Sequence, residues 1–361
     1  MNEEPSHLER DGGSSMMAMV FYEYGPPEVL RYEEVARPVA GPGEAIVRVR
    51  AVGINAADLM ARAGRYKPNE GRFPHILGTD FGGEVVELGT GVSGPVQVGS
   101  RVTDWWVVPC GYCEQCMTGN WNRCALDYKY LGAHLHGAYA QYVKLPAMNL
   151  IEIPREMSFE EAAGFPNPYG TAWHMLVTRG HIRVGETILI QAAGSGVSVA
   201  GIQIAKHAGL VVIATAGSED KLARARALGA DFVINYREQN FREEVMKLTG
   251  KRGVDVVFEH VGGDVFGESI RSLTRGGRLL TCGGTAGYDV AFNMAHIFHK
   301  ELTIIGSNSA IRQELVQMMP LVKTGVLKPI VDRIFPLDEA AEAHRYVAER
   351  SQFGKVVLVP E

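Results

Sequence analysis

Residues 187–198 read TILIQAAGSGVS, and this stretch decides the fold of the chain. An apolar run of strand length passes directly into small residues, and a helix-forming segment follows them to about residue 208. Small residues at such a turn let the backbone approach a pyrophosphate, which the positive N-terminus of the helix attracts. The stretch therefore predicts a nucleotide site whose candidate cofactor-binding residues are Ala193, Gly194, Ser195, Gly196 and Val197.

The glycine pattern alone is a weak signal, because Ala193 and Ser198 stand where the outer glycines of dinucleotide-binding loops often lie. Its position at the start of a series of strands and helices makes it strong. The patterns predict strands at residues 211–215, 232–235, 254–259, 278–282 and 302–306, and helices at residues 218–228, 241–249 and 265–273. Strands that alternate with helices predict an α/β fold with a doubly wound parallel sheet.

Residues 20–154 have a different pattern, in which short strands are separated by glycine and proline turns. Residues 45–52 (AIVRVRAV) alternate apolar and polar side chains, as a half-buried strand does, and residues 82–88 and 141–145 behave similarly. The chain has 361 residues, which is too long for one ordinary compact core. We therefore expect two domains, of which the first is rich in β-strands.

Four of the five cysteines lie within fifteen residues, at Cys110, Cys113, Cys116 and Cys124. In a long chain without a secretory signal, such a cluster indicates a metal site more often than disulfides. Four thiolates fill the tetrahedral shell of zinc and leave no position for water or substrate. The spacing thus predicts one structural Zn²⁺ per chain, against the alternative of free or disulfide-bonded cysteines.

The end of the second strand of the α/β region selects the cofactor. An acid there would bind the ribose 2′-hydroxyl of NAD, but residues 214–218 contain none, and the first is Glu219. Lys221 and Arg224 follow and offer positive charge to a 2′-phosphate, so we expect NADP(H) in preference to NAD(H). The alternative is that both side chains only cover a helix face. Ser218, Lys221 and Tyr236, which follows the third strand, complete the candidate cofactor-binding residues.

Composition limits the remaining possibilities. The formal net charge is -5 and no basic run is present, which argues against nucleic acid as a partner. No stretch of about 20 largely apolar residues exists, so no membrane span is expected. Residues 1–16 are polar and acidic, which indicates a disordered N-terminal extension rather than a secretory signal. A cytoplasmic location is expected.

Several motifs together resemble the medium-chain dehydrogenase/reductase superfamily, in particular zinc-binding relatives of quinone oxidoreductases. Besides the cysteine cluster, they are GINAAD (53–58), LGTDFGG (77–83), TAWH (171–174), GSGV (194–197), GAD (229–231), INY (234–236), RGVDVV (252–257) and FGKVV (353–357). The resemblance extends from about residue 17 to the end of the chain.

The resemblance implies a GroES-like β-rich catalytic domain at residues 17–164 and 311–361, with a Rossmann doubly wound parallel sheet at residues 165–310. It also implies hydride transfer between a nicotinamide and a small-molecule substrate in the cleft between these domains. Members of the superfamily are usually dimers or tetramers, so a homodimer or homotetramer is expected.

Departures from the family pattern bear on the chemistry. Catalytic-zinc alcohol dehydrogenases carry cysteine where this chain has Asn55, and His-Glu where it has Thr79 and Asp80. The resemblance therefore implies a structural zinc without a catalytic one, and reduction of quinones, enones or related conjugated carbonyls. Asn55, as a hydrogen-bond donor to a developing oxyanion, and Tyr66, as a proton donor, are the candidate catalytic residues. The alternatives are a turn residue and a wall of the cleft.

Two other functions stay open on the sequence. The first is a zinc-dependent alcohol dehydrogenase with an atypical metal site, formed from Asp58, His75 or Asp80. The second is a non-catalytic nucleotide-binding protein, since some relatives of quinone oxidoreductases have structural or RNA-binding roles. A second zinc and sensitivity to chelators would indicate the first, and cofactor binding without any reaction would indicate the second.

Overall fold

The computed structural model describes residues 14–65 and 71–361. Contacts divide the chain into two units. The first contains the chain up to Asn167 together with Ile311–Lys323 and Lys328–Glu361, and the second contains Pro168–Ala310 and Thr324–Leu327. The predicted boundaries at residues 165 and 310 lie close to this division, but residues 324–327, predicted in the first domain, belong to the second unit.

Most of the regular secondary structure in the N-terminal part of the first unit is β-strand. Its strands are β1 (Ser15–Phe21), β2 (Arg31–Ala36), β3 (Glu44–Gly53), β4 (His75–Ile76), β5 (Asp80–Leu88), β6 (Arg101–Asp104), β7 (Val107–Val108), β8 (Lys129–Tyr130), β9 (Tyr142–Pro146) and β10 (Leu150–Glu152). Three short helices interrupt them: α1 (Ala56–Arg62), α2 (Glu114–Met117) and α3 (Phe159–Ala163).

The second unit alternates strands with helices, as expected from the sequence. Its strands are β11 (Thr187–Ile190), β12 (Val211–Ala216), β13 (Phe232–Asn235), β14 (Val254–Glu259), β15 (Leu273–Thr281) and β16 (Thr303–Gly306). The helices of this region are α4 (Pro166–Trp173), α5 (Gly196–His207), α6 (Glu219–Ala227), α7 (Phe241–Leu248), α8 (Gly263–Arg271) and α9 (Ala295–Lys300). A π-helix, His174–Arg179, continues α4.

All six strands of the second unit run parallel, in the order β13-β12-β11-β14-β15-β16. This is the strand order of a dinucleotide-binding sheet, in which β12 and β13 lie on one side of β11 and the later strands β14, β15 and β16 lie on the other. Apolar side chains fill both faces because helices cover them, and Ile188, Leu189 and Ile190 are fully buried. The carboxyl ends of β11, β12 and β14 therefore meet at one edge of the sheet.

The chain then returns to the first unit through α10 (Arg312–Lys323), β17 (Val331–Pro336), α11 (Ala340–Ala348) and β18 (Lys355–Val359). The main sheet of this unit has the order β10-β6-β5-β3-β18-β17, and β9 also pairs with β3. The antiparallel pairing of β18 with β3 brings the last strand of the chain beside the strand that ends at Gly53. A smaller sheet has the order β2-β1-β4.

One prediction fails at the N-terminus. The extension was expected to reach residue 16, but β1 begins at Ser15, and Met16 is buried and opposite Val35 of β2. The run of apolar residues that starts at Met16 is long enough to pair as a strand and bury one face. The rest of the predicted extension, residues 1–13, lies outside the described residues.

Candidate active site and zinc lobe

The four clustered cysteines converge on one point. Their sulfur atoms all lie within 4.8 Å of one another. The measured separations include 3.4 Å from Cys113 to Cys116, 3.9 Å from Cys110 to Cys116, and 4.0 Å from Cys113 to Cys124. A tetrahedron with zinc–sulfur bonds of about 2.3 Å has sulfur–sulfur edges of about 3.8 Å. The donor set therefore fits one zinc ion.

Local structure places these sulfurs. Cys113 is the N-cap of the one-turn helix α2, which carries Cys116, and the Trp121 indole N–H donates to the Cys116 carbonyl at 2.5 Å. The backbone N–H of Cys113 points to the Cys110 sulfur, and that of Cys110 points to the Cys124 sulfur, both at 3.4 Å. Amide donors of this kind stabilise thiolates, which is what a metal-bound sulfur requires.

The nucleotide loop has the geometry that its sequence predicts. Ser195 is the N-cap of α5, and its hydroxyl accepts from the Ser198 N–H at 3.2 Å, so the first turn of the helix begins at Gly196. The Ala193 N–H donates to the Thr215 carbonyl at the end of β12. Ala193, Gly194 and Ser195 thus form a short turn after β11, and Gly196 and Val197 begin α5.

A histidine that the sequence analysis did not identify supports this loop. His260 directly follows β14, and its Nε2 lies 2.8 Å from the Ser198 hydroxyl and 3.2 Å from the Ser195 hydroxyl. Burial lowers the pKa of His260 to about 4, so the ring is neutral at physiological pH. A neutral ring in contact with two hydroxyls holds the loop in place without adding charge near a pyrophosphate. The signal available in the sequence was its position directly after a predicted strand.

The region that would face the adenosine ribose is formed where β12 and β13 end. Tyr236 and Arg237 lean over Gly217, since a Cβ atom added to Gly217 would lie 2.7 Å from the tyrosine hydroxyl and 3.0 Å from the arginine Nε. Ser218 is the N-cap of α6, and its hydroxyl makes no capping hydrogen bond. Glu219 accepts from the Asn235 side-chain amide at 3.2 Å.

Lys221 lies in the first turn of α6, one residue after Asp220, and Arg224 lies on the same helix. The positive charges that suggested a 2′-phosphate are thus on the helix that follows Gly217. Arg237 adds a guanidinium beside Gly217, and it was not among the residues predicted from the sequence.

Asn55 occupies a buried polar network in the first unit. Its backbone N–H donates to Asp58 at 2.7 Å, which forms a capping box for α1. Its side-chain amide donates to Asp80 at 3.0 Å, and its side-chain oxygen accepts from the Lys355 ammonium at 2.6 Å. Lys355 also pairs with Asp80 at 3.1 Å. Lys355 belongs to the closing FGKVV motif, to which the sequence analysis assigned no role.

Three buried carboxyls surround this one ammonium. Burial raises the pKa of Asp58 to about 7 and raises the pKa of Asp80, although Lys355 opposes both shifts. Burial and the neighbouring Asp80 raise the pKa of Asp104 well above its ordinary value. Asp104 Oδ2 has no hydrogen-bond partner among the described residues. The raised pKa of Asp104 favours its neutral form, and Asp80 and Lys355 form the ion pair.

Asp58, His75 and Asp80 do not form the atypical metal site that was left open. Among the described residues, the cysteine cluster alone brings three or more possible ligand atoms together. His75 Nε2 lies 3.3 Å from the Gly132 carbonyl, and Asp80 is bound by the Lys355 ammonium, which would repel a divalent cation. Tyr66, the other candidate catalytic residue, lies outside the described residues.

Comparison with known proteins agrees with this architecture. The alcohol dehydrogenase GroES-like domain family matches residues 41–155, and the zinc-binding dehydrogenase family matches residues 196–324. A 2-haloacrylate reductase of Burkholderia sp is 31% identical over 363 residues, which cover 96% of this chain and 99% of that protein. A quinone oxidoreductase of Pongo abelii is 28% identical over 356 residues, with 96% and 99% covered.

Solved structures give the same result. The crystal structure of an NAD-dependent alcohol dehydrogenase superimposes with a TM-score of 0.92 at 45% identity, covering 95% of this chain and 99% of that one. The GroES-like unit and the parallel dinucleotide-binding sheet thus define a nicotinamide-dependent dehydrogenase or reductase. The chain belongs to the medium-chain dehydrogenase/reductase superfamily, among its zinc-type alcohol dehydrogenase and quinone oxidoreductase-like members. It is an NAD(P)-dependent oxidoreductase, so the alternative of a non-catalytic binding protein is not retained.

Among the described residues, no helix has the length and apolar character that crossing a membrane requires.

Proposed function

We propose that this enzyme is an NADP(H)-dependent reductase of quinones, enones or related conjugated carbonyl compounds, with one structural zinc and no catalytic zinc. The observation that carries the proposal is the contact of the Lys355 ammonium with both Asn55 and Asp80. These positions correspond to metal-binding parts of the family pattern in alcohol dehydrogenases, and here a lysine supplies the cation. The similarity to a 2-haloacrylate reductase and a quinone oxidoreductase supports a conjugated substrate.

The proposed reaction needs a hydride from the cofactor and hydrogen-bond and proton donors from the chain. When bound, NADPH would provide the hydride for the electrophilic carbon of the substrate, and residues of the chain would stabilise the negative charge on the carbonyl oxygen. The Asn55 amide has two N–H bonds, of which Asp80 accepts one. The second can donate to the developing oxyanion, which is a role that typically contributes about 10²–10³-fold in rate. Tyr66 is the proposed proton donor.

Binding of NADP(H) rests on charge and on the missing acid. Tyr236 and Arg237 lean over Gly217, just after β12, and Ser218 and Lys221 follow at the start of α6. Together they offer hydroxyl groups and cations to a 2′-phosphate. Glu219 is bonded to Asn235, as expected if it does not serve as a ribose ligand. The similar NAD-dependent alcohol dehydrogenase defines the competing outcome, in which NADH supports equal turnover.

Steady-state kinetics with both cofactors test the proposal. The panel contains 1,4-benzoquinone, a cyclic enone, a crotonyl thioester, and a primary alcohol with its aldehyde. We expect reduction of the conjugated substrates with a higher kcat/KM for NADPH, about one zinc per chain by elemental analysis, and activity that survives brief treatment with a chelator. Alcohol oxidation that requires a second, removable metal would instead establish the alcohol dehydrogenase alternative.

The remaining expectations belong to the same proposal. β16 lies at the edge of the parallel sheet, and we propose that the enzyme forms a homodimer or homotetramer in the cytoplasm and binds no nucleic acid. Light scattering on the purified protein tests the assembly, and a monomer at micromolar concentration would contradict it.

A further inference from the structure

The ammonium of Lys355 is saturated with oxygen acceptors. Its Nζ lies 2.6 Å from Asn55 Oδ1, 3.0 Å from the Ile54 carbonyl and 3.1 Å from Asp80 Oδ2. An ammonium has three N–H bonds, so each has its own acceptor. The lysine stem is confined as well, because a Cβ atom added to Gly53 would lie only 2.8 Å from Lys355 Cε.

This arrangement fixes the orientation of the Asn55 amide. A lysine ammonium can only donate, so the atom of Asn55 that contacts it must be the oxygen. A carboxylate can only accept, so the atom that contacts Asp80 must be the nitrogen. Rotating the amide by half a turn would place an N–H against the ammonium and the oxygen against the carboxylate. Both contacts therefore disfavour the flipped amide.

We propose that Lys355 is a positioning residue for catalysis, because its ammonium orients the Asn55 amide so that the second N–H is available to the substrate oxygen. The inference rests on the proposed role of Asn55 as an oxyanion donor. Lys355 itself touches no reacting atom, since its three donors are occupied. Its ammonium balances Asp80 and keeps the amide in one orientation.

The test must separate positioning from a general structural effect. Lys355→Met alone would leave Asp80 buried and unpaired, which destabilises a protein strongly. The informative variant is therefore Lys355→Met/Asp80→Asn, which removes both charges and keeps similar volumes. Lys144→Met is the matched control, because it breaks the surface ion pair with Glu44 in the same unit.

Kinetics with NADPH and 1,4-benzoquinone give the first readout. We expect Asn55→Ala to lower kcat/KM by about 10²–10³-fold. Lys355→Met/Asp80→Asn should lower kcat at least tenfold while the KM for NADPH stays within about twofold. In the Asn55→Ala background the same pair of substitutions should change kcat/KM by less than about twofold, because the effect of Lys355 passes through Asn55.

Nuclear magnetic resonance gives a second readout that needs no substrate. In protein labelled with ¹⁵N-asparagine, we expect the side-chain amide of Asn55 to give two sharp, slowly exchanging proton signals, assigned by their loss in Asn55→Ala. Lys355→Met/Asp80→Asn should accelerate their exchange with solvent at least tenfold, and Lys144→Met should leave it unchanged.

The outcomes distinguish the two proposals. If Asn55→Ala keeps full activity, the proposed oxyanion role of Asn55 fails, whatever Lys355 does. If Asn55→Ala is impaired but Lys355→Met/Asp80→Asn is fully active, or if its Asn55 signals are as sharp and protected as in the wild type, the positioning role of Lys355 is overturned alone.

Discussion

The buried carboxyl of Asp58 makes the stability of this enzyme depend on pH in a direction that can be measured. Asp58 is 2% exposed, and its pKa is raised to about 7 from an ordinary value of 3.8. The folded protein therefore binds this proton more tightly than the unfolded chain does. The contribution of the neutral Asp58 carboxyl to the free energy of unfolding is fully present below pH 3.8, and it is lost as the pH rises toward 7.

The magnitude follows from the shift. Each pKa unit corresponds to about 1.4 kcal/mol, so the shift of about three units costs up to about 4 kcal/mol once the pH exceeds 7. Between pH 5 and pH 8, the part of this cost that develops is about 3 kcal/mol. Asp58→Asn removes the titration but keeps a carbonyl that can accept the Asn55 N–H. We therefore expect the free energy of unfolding of Asp58→Asn, relative to wild type, to rise by about 3 kcal/mol from pH 5 to pH 8.

Urea unfolding monitored by tryptophan fluorescence is the assay, because Trp105, Trp106 and Trp121 all lie in the unit that contains Asp58. Burial lowers the pKa values of His75 and His344 to about 3. The protein therefore loses the stability that these two neutral rings contribute as the pH falls below 6.5. Their contribution is common to both proteins and cancels in the difference.

Asp338→Asn, at an exposed position in the same unit, is the control and should follow the wild-type curve. Stability curves for Asp58→Asn and wild type that run parallel from pH 5 to pH 8 would refute a raised pKa at Asp58. An infrared carboxylic-acid band that is present at pH 5, fades by pH 8 and is missing in Asp58→Asn would identify the titrating group directly.

Three further predictions concern the other sites. Cys124→Ser should lower the zinc content from about one per chain, because a hydroxyl is a poorer zinc ligand than a thiolate. It should also accelerate hydrogen exchange at residues 110–124 while NADPH still binds. Full zinc occupancy in this variant would contradict a four-thiolate site. Gly217→Ala should raise the KM for NADPH about tenfold with little change in kcat, because the added Cβ displaces Tyr236 and Arg237. Gly306→Ala is the matched control, because its Cβ has no neighbour within 4 Å. Equal KM values for the two variants would refute a role of Gly217 and its neighbours in NADPH binding. His260→Ala should destabilise the protein by about 1–3 kcal/mol and weaken NADPH binding, because the hydroxyls of Ser195 and Ser198 lose their shared partner. Unchanged NADPH binding by calorimetry would exclude a supporting role for His260.

The sequence contained enough local information to predict the second unit almost element by element. The strands predicted at residues 232–235 and 254–259 have the bounds of β13 and β14, and helix α7 ends one residue before its predicted end. β15 is the larger discrepancy, because it begins at Leu273 rather than at residue 278 and contains an irregularity in its pairing with β14. Glycines at positions 276 and 277 lie in this irregular part, and they read as a turn in the sequence.

Two parts of the candidate site could likewise be predicted from local sequence. Cys110, Cys113, Cys116 and Cys124 could be recognised as one metal site because all lie within fifteen residues, so the spacing itself limits where the sulfurs can be. The loop from Ala193 to Val197 could be recognised because a strand, small residues and a helix follow one another directly. Composition and periodicity describe neighbours along the chain, and these sites are formed by such neighbours.

Only the tertiary structure revealed the partners that are distant in sequence. Lys355 reaches Asn55 across 300 residues because β18 pairs with β3, and His260 reaches Ser198 across 62 residues because β14 lies beside β11. Neither pair has a local pattern, since each depends on which strands become neighbours when the sheets close. Local sequence was enough to predict the fold class, the cysteine cluster and the nucleotide loop. The sheets decided which buried charges face one another, because burial and pairing of charges are properties of the packed chain.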